Sequence, residues 1–127
     1  MYGNNSKIQS FTDLNAWQEA HKLVLMVYET TKAFPKEEMF GLTSQIRRAA
    51  VSVSANIAEG FSRNSAKEKL QFYAMSLGSL TEVQSHLLIA RDLKYTTTEN
   101  FVKLNDQANI VNRLIHGLMR TAQTRNT

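Results

Sequence analysis

The 127-residue sequence has no cysteine, which excludes disulfides and thiolate metal ligands and fits a reducing, cytoplasmic setting. Pro35 is the only proline, and the five glycines form no phosphate-cradling loop. Gly-x-Ser-x-Gly is absent, so neither a nucleotide site nor a serine-hydrolase elbow is expected. Long apolar runs are missing too. The strongest, residues 23–28, is far too short to cross a bilayer, and MYGNNSKIQS at the start lacks the apolar centre of a signal peptide. These absences predict one soluble domain with no membrane partner, a size that suits a single core.

What is present is helical periodicity. Four segments repeat apolar residues in steps of three and four with little competition from strands. The first, residues 13–33, carries two adjacent stripes: Leu14, Trp17, His21, Val24 and Tyr28, with Ala16, Ala20, Leu23, Val27 and Phe34 beside them. A helix in a lone bundle needs one stripe, so the second is either a wide core face or a subunit interface. Ile110 and Leu114 add a similar surplus to the fourth helix. Pro35 ends the first helix, since proline lacks an amide and disfavours helix in the residue before it.

The second helix spans residues 42–60, with the stripe Leu42, Ile46, Ala49, Val53 and Ile57 and with Gly60 as its C-terminal cap. Ser65-x-x-Glu68 reads as a capping box that starts the third helix, residues 66–93, and Thr96-x-x-Glu99 as another that starts the fourth after a polar break at 94–98. The fourth then carries Phe101, Leu104, Ala108, Val111, Ile115, Leu118 and Ala122. Short connections imply an all-α, antiparallel up-down-up-down four-helix bundle over residues 11–122. Residues 1–10 and 123–127 are expected as flexible tails.

Enzyme chemistry finds no footing. A di-iron bundle needs paired Glu-x-x-His motifs, whereas this chain offers only Glu82-x-x-x-His86. His21, His86 and His116 fall on three different helices, and Arg113-x-x-His116 is too short a spacing for a helical ribonuclease of the HEPN type. Without nucleophile, base and orienting group together, no catalytic residue, metal or cofactor is assigned.

Charge is more informative. The net charge is +4; no acid follows Asp106, while Arg113, Arg120 and Arg125 do. Between residues 41 and 70, Arg47, Arg48, Arg63, Lys67 and Lys69 face only Glu59 and Glu68. Ordinary solvated surface is one reading and phosphate contact the other. Arg113 and Arg120 share a helical face, and with Arg47 and Lys67 they are the candidate nucleic-acid contacts, reading shape and charge rather than bases. Gln45, Arg48, Asn56, Glu59 and Glu82 are candidate structural or interface polar groups. A tight turn at 62–64 sets Gln45 near Leu80, so that Glu82 holds Gln45 or Arg48. Glu59, at the negative end of its helix dipole, calls for a cation such as Arg63 or Lys67, and Asn56 bonds the turn or a neighbouring subunit.

The stretch QIRRAAVSVSANIAEG, residues 45–60, resembles the hallmark helix of the bacterial 23S rRNA intervening-sequence proteins, which reads roughly Q-I-R-R-A-x-x-S-x-x-A-N-I-A-E-G. Phe11-x-Asp13-Leu14-x-x-Trp17-Gln18, Phe34-Pro35 with Glu38-x-x-Gly41-Leu42, and Phe72 with Gly78-Ser79-x-x-Glu82 extend the likeness over residues 11–115. The resemblance implies a four-helix bundle in a homopentameric ring. It also implies a tie to nucleic acid, because such genes lie within 23S rRNA genes in some species. The accessory variability protein of diversity-generating retroelements, a more distant likeness, engages a reverse transcriptase. The expected function is therefore a non-enzymatic, cytoplasmic accessory protein bound to RNA or DNA, with a nucleic-acid enzyme as a further partner. The alternative is a protein-interaction or scaffolding oligomer with no nucleic-acid role.

Overall fold

Ser10 caps a 3₁₀ turn at Phe11–Asp13: its hydroxyl accepts from the Thr12 amide while the Asp13 carboxylate accepts from the amides of Gln9 and Ser10. The computed structural model describes residues 7–125, and in it four α-helices follow: α1 (Asn15–Thr31), α2 (Leu42–Ser62), α3 (Ala66–Asp92) and α4 (Thr98–Arg125). Among the described residues there is no strand. The segments expected as tails are tied in where they are described. Gln9 and Ser10 are bound to Asp13, and α4 runs through residues 123–125 because nothing there breaks a helix. Residues 1–6, 126 and 127 lie outside the described residues.

Several ends differ from the sequence expectation. Gly60 does not cap α2; it is buried two residues before the end, and the Tyr73 ring lies so close that a Cβ there would sit 2.6 Å from Cε1. The α2 carbonyls are finished instead by Lys69, whose Nζ donates to the Phe61 and Gly60 oxygens at 2.7 and 3.3 Å. Thr97 rather than Thr96 caps α4, accepting from the Asn100 amide at 3.1 Å, because the side chain three residues ahead of a free amide is the one in reach. Between α3 and α4, Lys94 takes φ 63°, and Tyr95 N–H bonds to Ala90 while Lys94 N–H bonds to Arg91. That pairing closes the α3 carbonyls in a Schellman turn. Ser65 caps α3, accepting from Glu68 N–H, but Glu68 does not return the bond that would complete the expected capping box.

Successive helices pack on one another and α4 returns to α1, closing the bundle. The predicted α2 stripe is buried in full. The two stripes of the first segment part: Ala16, Ala20, Leu23, Val27 and Phe34 form the core together with Leu14 of the other stripe, while Trp17 and Val24 are half-buried and His21 and Tyr28 exposed. Alanine at 16 and 20 lets a neighbouring backbone come near, whereas the rings are too large for that seam and cover its flank. Phe11 meets Trp17 edge-on at 5.2 Å and His21 stacks on Trp17 at 4.8 Å. Ile110 and Leu114 are half-buried.

Polar crossbeams set how the helices sit. The buried Ser76 hydroxyl donates to the Val53 carbonyl at 2.7 Å, and the Ser52 and Ser79 hydroxyls meet at 2.7 Å. This register lies about one turn away from that set by an even turn at 62–64. The buried Gln107 of α4 donates to both the carbonyl and the carboxylate of Glu19 in α1, at 2.9 and 2.8 Å. At the far end, Glu38 accepts from Leu42 N–H at the start of α2 and from the Tyr95 hydroxyl, each at 3.0 Å. A side chain at Gly41 would crowd that carboxylate, its Cβ falling 2.8 Å from Glu38 Oε1.

Candidate functional site

A helix repeats every 3.6 residues, so positions 113, 116 and 120 occupy successive turns of one face of α4. Arg113, His116 and Arg120 are all exposed there. None of them forms an ion pair among the described residues. Gly117 leaves space beneath Arg120, whose Nη2 lies 3.7 Å from where a Cβ would be. With no acid after Asp106, this half of α4 carries cations only. Lys67 is exposed as well, but in the first turn of α3.

Arg47 does not join this surface. Its Nε donates to the buried Thr31 hydroxyl at 2.8 Å, and its guanidinium lies 4.7 Å over the Tyr28 ring. Thr31 in turn donates to the Val27 carbonyl at 2.8 Å. A side chain expected to meet a partner is therefore a strut between α1 and α2. The sequence contains the signal: Thr43 and Ala50, one turn either side of Arg47, are buried, so Arg47 flanks the core while Arg48 points away.

Arg48 is exposed, and with Phe40, Gln45, Ser52, Ser79 and Glu82 it lines a polar groove of about 460 Å³ between α2 and α3. The expected bond from Glu82 to Arg48 or Gln45 is not made. Glu82 instead approaches His86 Nε2 at 3.3 Å, and the side chains of Arg48 and Gln45 make no hydrogen bond or ion pair among the described residues. An exposed pair gains too little to fix two long side chains. Asn56 stays within α2, donating to the Ser52 carbonyl and hydroxyl at 2.9 and 3.0 Å. Glu59 takes Arg63 at 2.6 Å, and Arg63 lies 4.6 Å over the Phe72 ring. Sequence reasoning missed Phe40, which at 95% exposure stands at the lip of the groove. It belongs to no apolar period, and its place in the connection just ahead of α2 is the only hint.

Among the described residues, no three of His, Asp and Glu gather as metal ligands, and no helix is long and apolar enough to cross a membrane. The geometry thus offers charge and shape: a basic ridge on α4 and a polar groove with an aromatic lip.

Comparison with known proteins supports the same fold. The family model described as 23S rRNA-intervening sequence protein matches residues 12–117. That span includes Arg113 and stops short of Arg120. Among solved structures, a protein of unknown function from the S23 ribosomal protein family of Bacteroides thetaiotaomicron is similar at 19% identity and a TM-score of 0.76, over 82% of this chain and 97% of that one. No curated protein matches.

Proposed function

We propose that this chain, which belongs to the 23S rRNA-intervening sequence protein family, is a non-enzymatic, cytoplasmic bundle that assembles into a homopentameric ring and associates with RNA or DNA. The single observation that carries the nucleic-acid part is the α4 ridge, where Arg113, His116 and Arg120 project on successive turns without acidic partners. Phosphates are the complementary ligand, and Lys67 extends the contact from α3. Arg47, committed to Thr31 and Tyr28, is left out of the contact set.

The helices alternate in direction, up-down-up-down, a course supported by the way Val53 pairs with Ser76 and Phe61 with Lys69. Support for assembly comes from α3, whose outer face exposes Met75, Leu88 and Ile89 while Gly78 meets nothing within 4 Å. A helix with apolar residues on every side is ordinarily buried on every side. The interface accordingly moves to α3 from the α1 stripe, which the core consumes. Gln45 and Arg48, whose side chains make no hydrogen bond or ion pair among the described residues, lie on the adjoining face of α2.

The test is binding to mixed RNA and DNA across a salt series. We expect affinity to fall steeply with salt, and Arg113→Ala/Arg120→Ala to reduce the logarithmic slope by about two for each engaged subunit. Absence of binding at low salt ends this reading. Sedimentation showing a stable monomer at micromolar concentration ends the ring.

The second reading, a protein-interaction scaffold, is favoured by exposed Phe40 beside the groove that Arg48 and Glu82 line. A nucleic-acid enzyme such as a reverse transcriptase would use that groove. A protein partner lost in Phe40→Ser, from a parent that binds neither RNA nor DNA at low salt, favours this reading over the first.

A further inference from the structure

The end of the bundle where α2 turns into α3 holds a cavity of about 700 Å³, in the range that takes a small molecule. Much of its wall is apolar, from Leu14 ahead of α1, Phe61 in the last turn of α2, and Leu118 and Ala122 of α4, with Asn64, Ser65 and Thr121 at its polar margin. Tyr73 of α3 lines it too. That residue is 3% exposed, and its hydroxyl has no hydrogen-bond partner among the described residues. The hydroxyl is not among the sealed polar atoms that lack a partner; it opens on the cavity, where an acceptor carried by a ligand can take the place of water. A phenol is protonated at neutral pH in any case, and burial pushes the Tyr73 pKa further up, so the hydroxyl is a donor there. The ring is held in place by its approach to Gly60.

The charge around the cavity selects the acceptor. Lys7 and Lys69 are part of the lining and no acid is. The first turn of α3 opens there at Ser65 and Ala66, presenting the positive end of a helix dipole. An anionic acceptor on an apolar body fits all of these features. A cation or a purely polar ligand fits neither the lysines nor the walls.

We propose that this cavity binds an apolar small molecule bearing one carboxylate, its body against Phe61, Leu118 and Ala122 and its carboxylate accepting from the Tyr73 hydroxyl in the field of Lys7. The site stands apart from the nucleic-acid reading and survives its failure. The assay is calorimetric titration of the full-length chain with decanoate below its micelle concentration, with decanol and decyltrimethylammonium in parallel. We expect saturable binding of one decanoate per chain, with decanol and the ammonium weaker by about tenfold or more. Tyr73→Phe removes a single oxygen and keeps the ring over Gly60, so it folds. It should weaken decanoate about tenfold while leaving decanol unchanged. Ala122→Leu, which fills the cavity from its wall, should weaken both. No binding of decanoate, equal affinity for decanol, or decanoate binding unmoved by Tyr73→Phe overturns the assignment.

Discussion

Replacing Gly60 and Gly78, one at a time, by alanine adds the same methyl group to two helices and is expected to move stability in opposite directions. At Gly60 the new Cβ would lie 2.6 Å from Cε1 and 2.9 Å from Cδ1 of Tyr73, and 3.1 Å from Cβ of Phe72. Overpacking a core costs about 1–3 kcal/mol, and because the methyl would crowd two ring carbons of Tyr73 and the Phe72 Cβ together, so that no one small shift clears all three, the upper half, about 2–3 kcal/mol, applies. Alanine's better helix propensity returns about 1 kcal/mol. The net loss is about 1–2 kcal/mol, or roughly 4–8 °C in Tm for a domain of this size. At Gly78 nothing lies within 4 Å, so only the propensity gain remains, about 0.5–1 kcal/mol or 2–4 °C upward. Thermal unfolding followed by circular dichroism at several protein concentrations measures both, since assembly makes Tm depend on concentration. A Gly60→Ala protein as stable as its parent would refute the packing account. A Gly78→Ala protein that melts below the parent at the lowest concentration would refute the reading of Gly78 as free of intrachain contact.

Arg47→Ala should cost about 1–2 kcal/mol, through the lost bond to Thr31 and the lost contact with Tyr28, whereas Arg48→Ala should stay within about 0.5 kcal/mol of the parent. Urea midpoints that rank the two the other way would put the strut on the wrong arginine. The Tyr95 pKa is raised above the ordinary 10 by its hydrogen bond to Glu38, with burial and the charges of Glu38 and Glu37 acting in the same direction. The folded state thus holds this proton more tightly than the unfolded chain does. Its contribution is full below pH 10 and lost as pH rises through the folded value. Tyr95→Phe should flatten that alkaline decline in urea midpoints, and identical slopes for parent and variant would remove the linkage.

How much of this was legible in the sequence depended on how many ways an apolar pattern could be satisfied. On α2 one stripe of medium-sized residues stood between polar flanks, and it was the core. On α1 two stripes competed, and the aromatic one looked heavier. Burial is decided by how closely backbones approach, however, which gave the core to Ala16 and Ala20 and sent His21 and Tyr28 outside. Gly60 satisfied the cap rule and the close-packing rule equally well until Tyr73 was seen above it. The α4 ridge was readable because Arg113 and Arg120 need only the helical period to share a face. Arg47 and Arg48 were not separable by type, only by the rotation of α2 about its axis. The Tyr73 cavity left no trace in local sequence, since its walls come from α2, α3, α4 and the residues ahead of α1.

The hydroxyl rungs between α2 and α3 have a mechanical meaning. Sliding one helix past the other by a turn, about 5.4 Å, would pull Ser76 off the Val53 carbonyl and part Ser52 from Ser79, leaving a buried hydroxyl stranded. The pair is therefore keyed like a shaft, stiff against axial shear. Any conformational change that a bound partner imposes has to carry α2 and α3 as a single lever, with the give taken up where they meet α1 and α4.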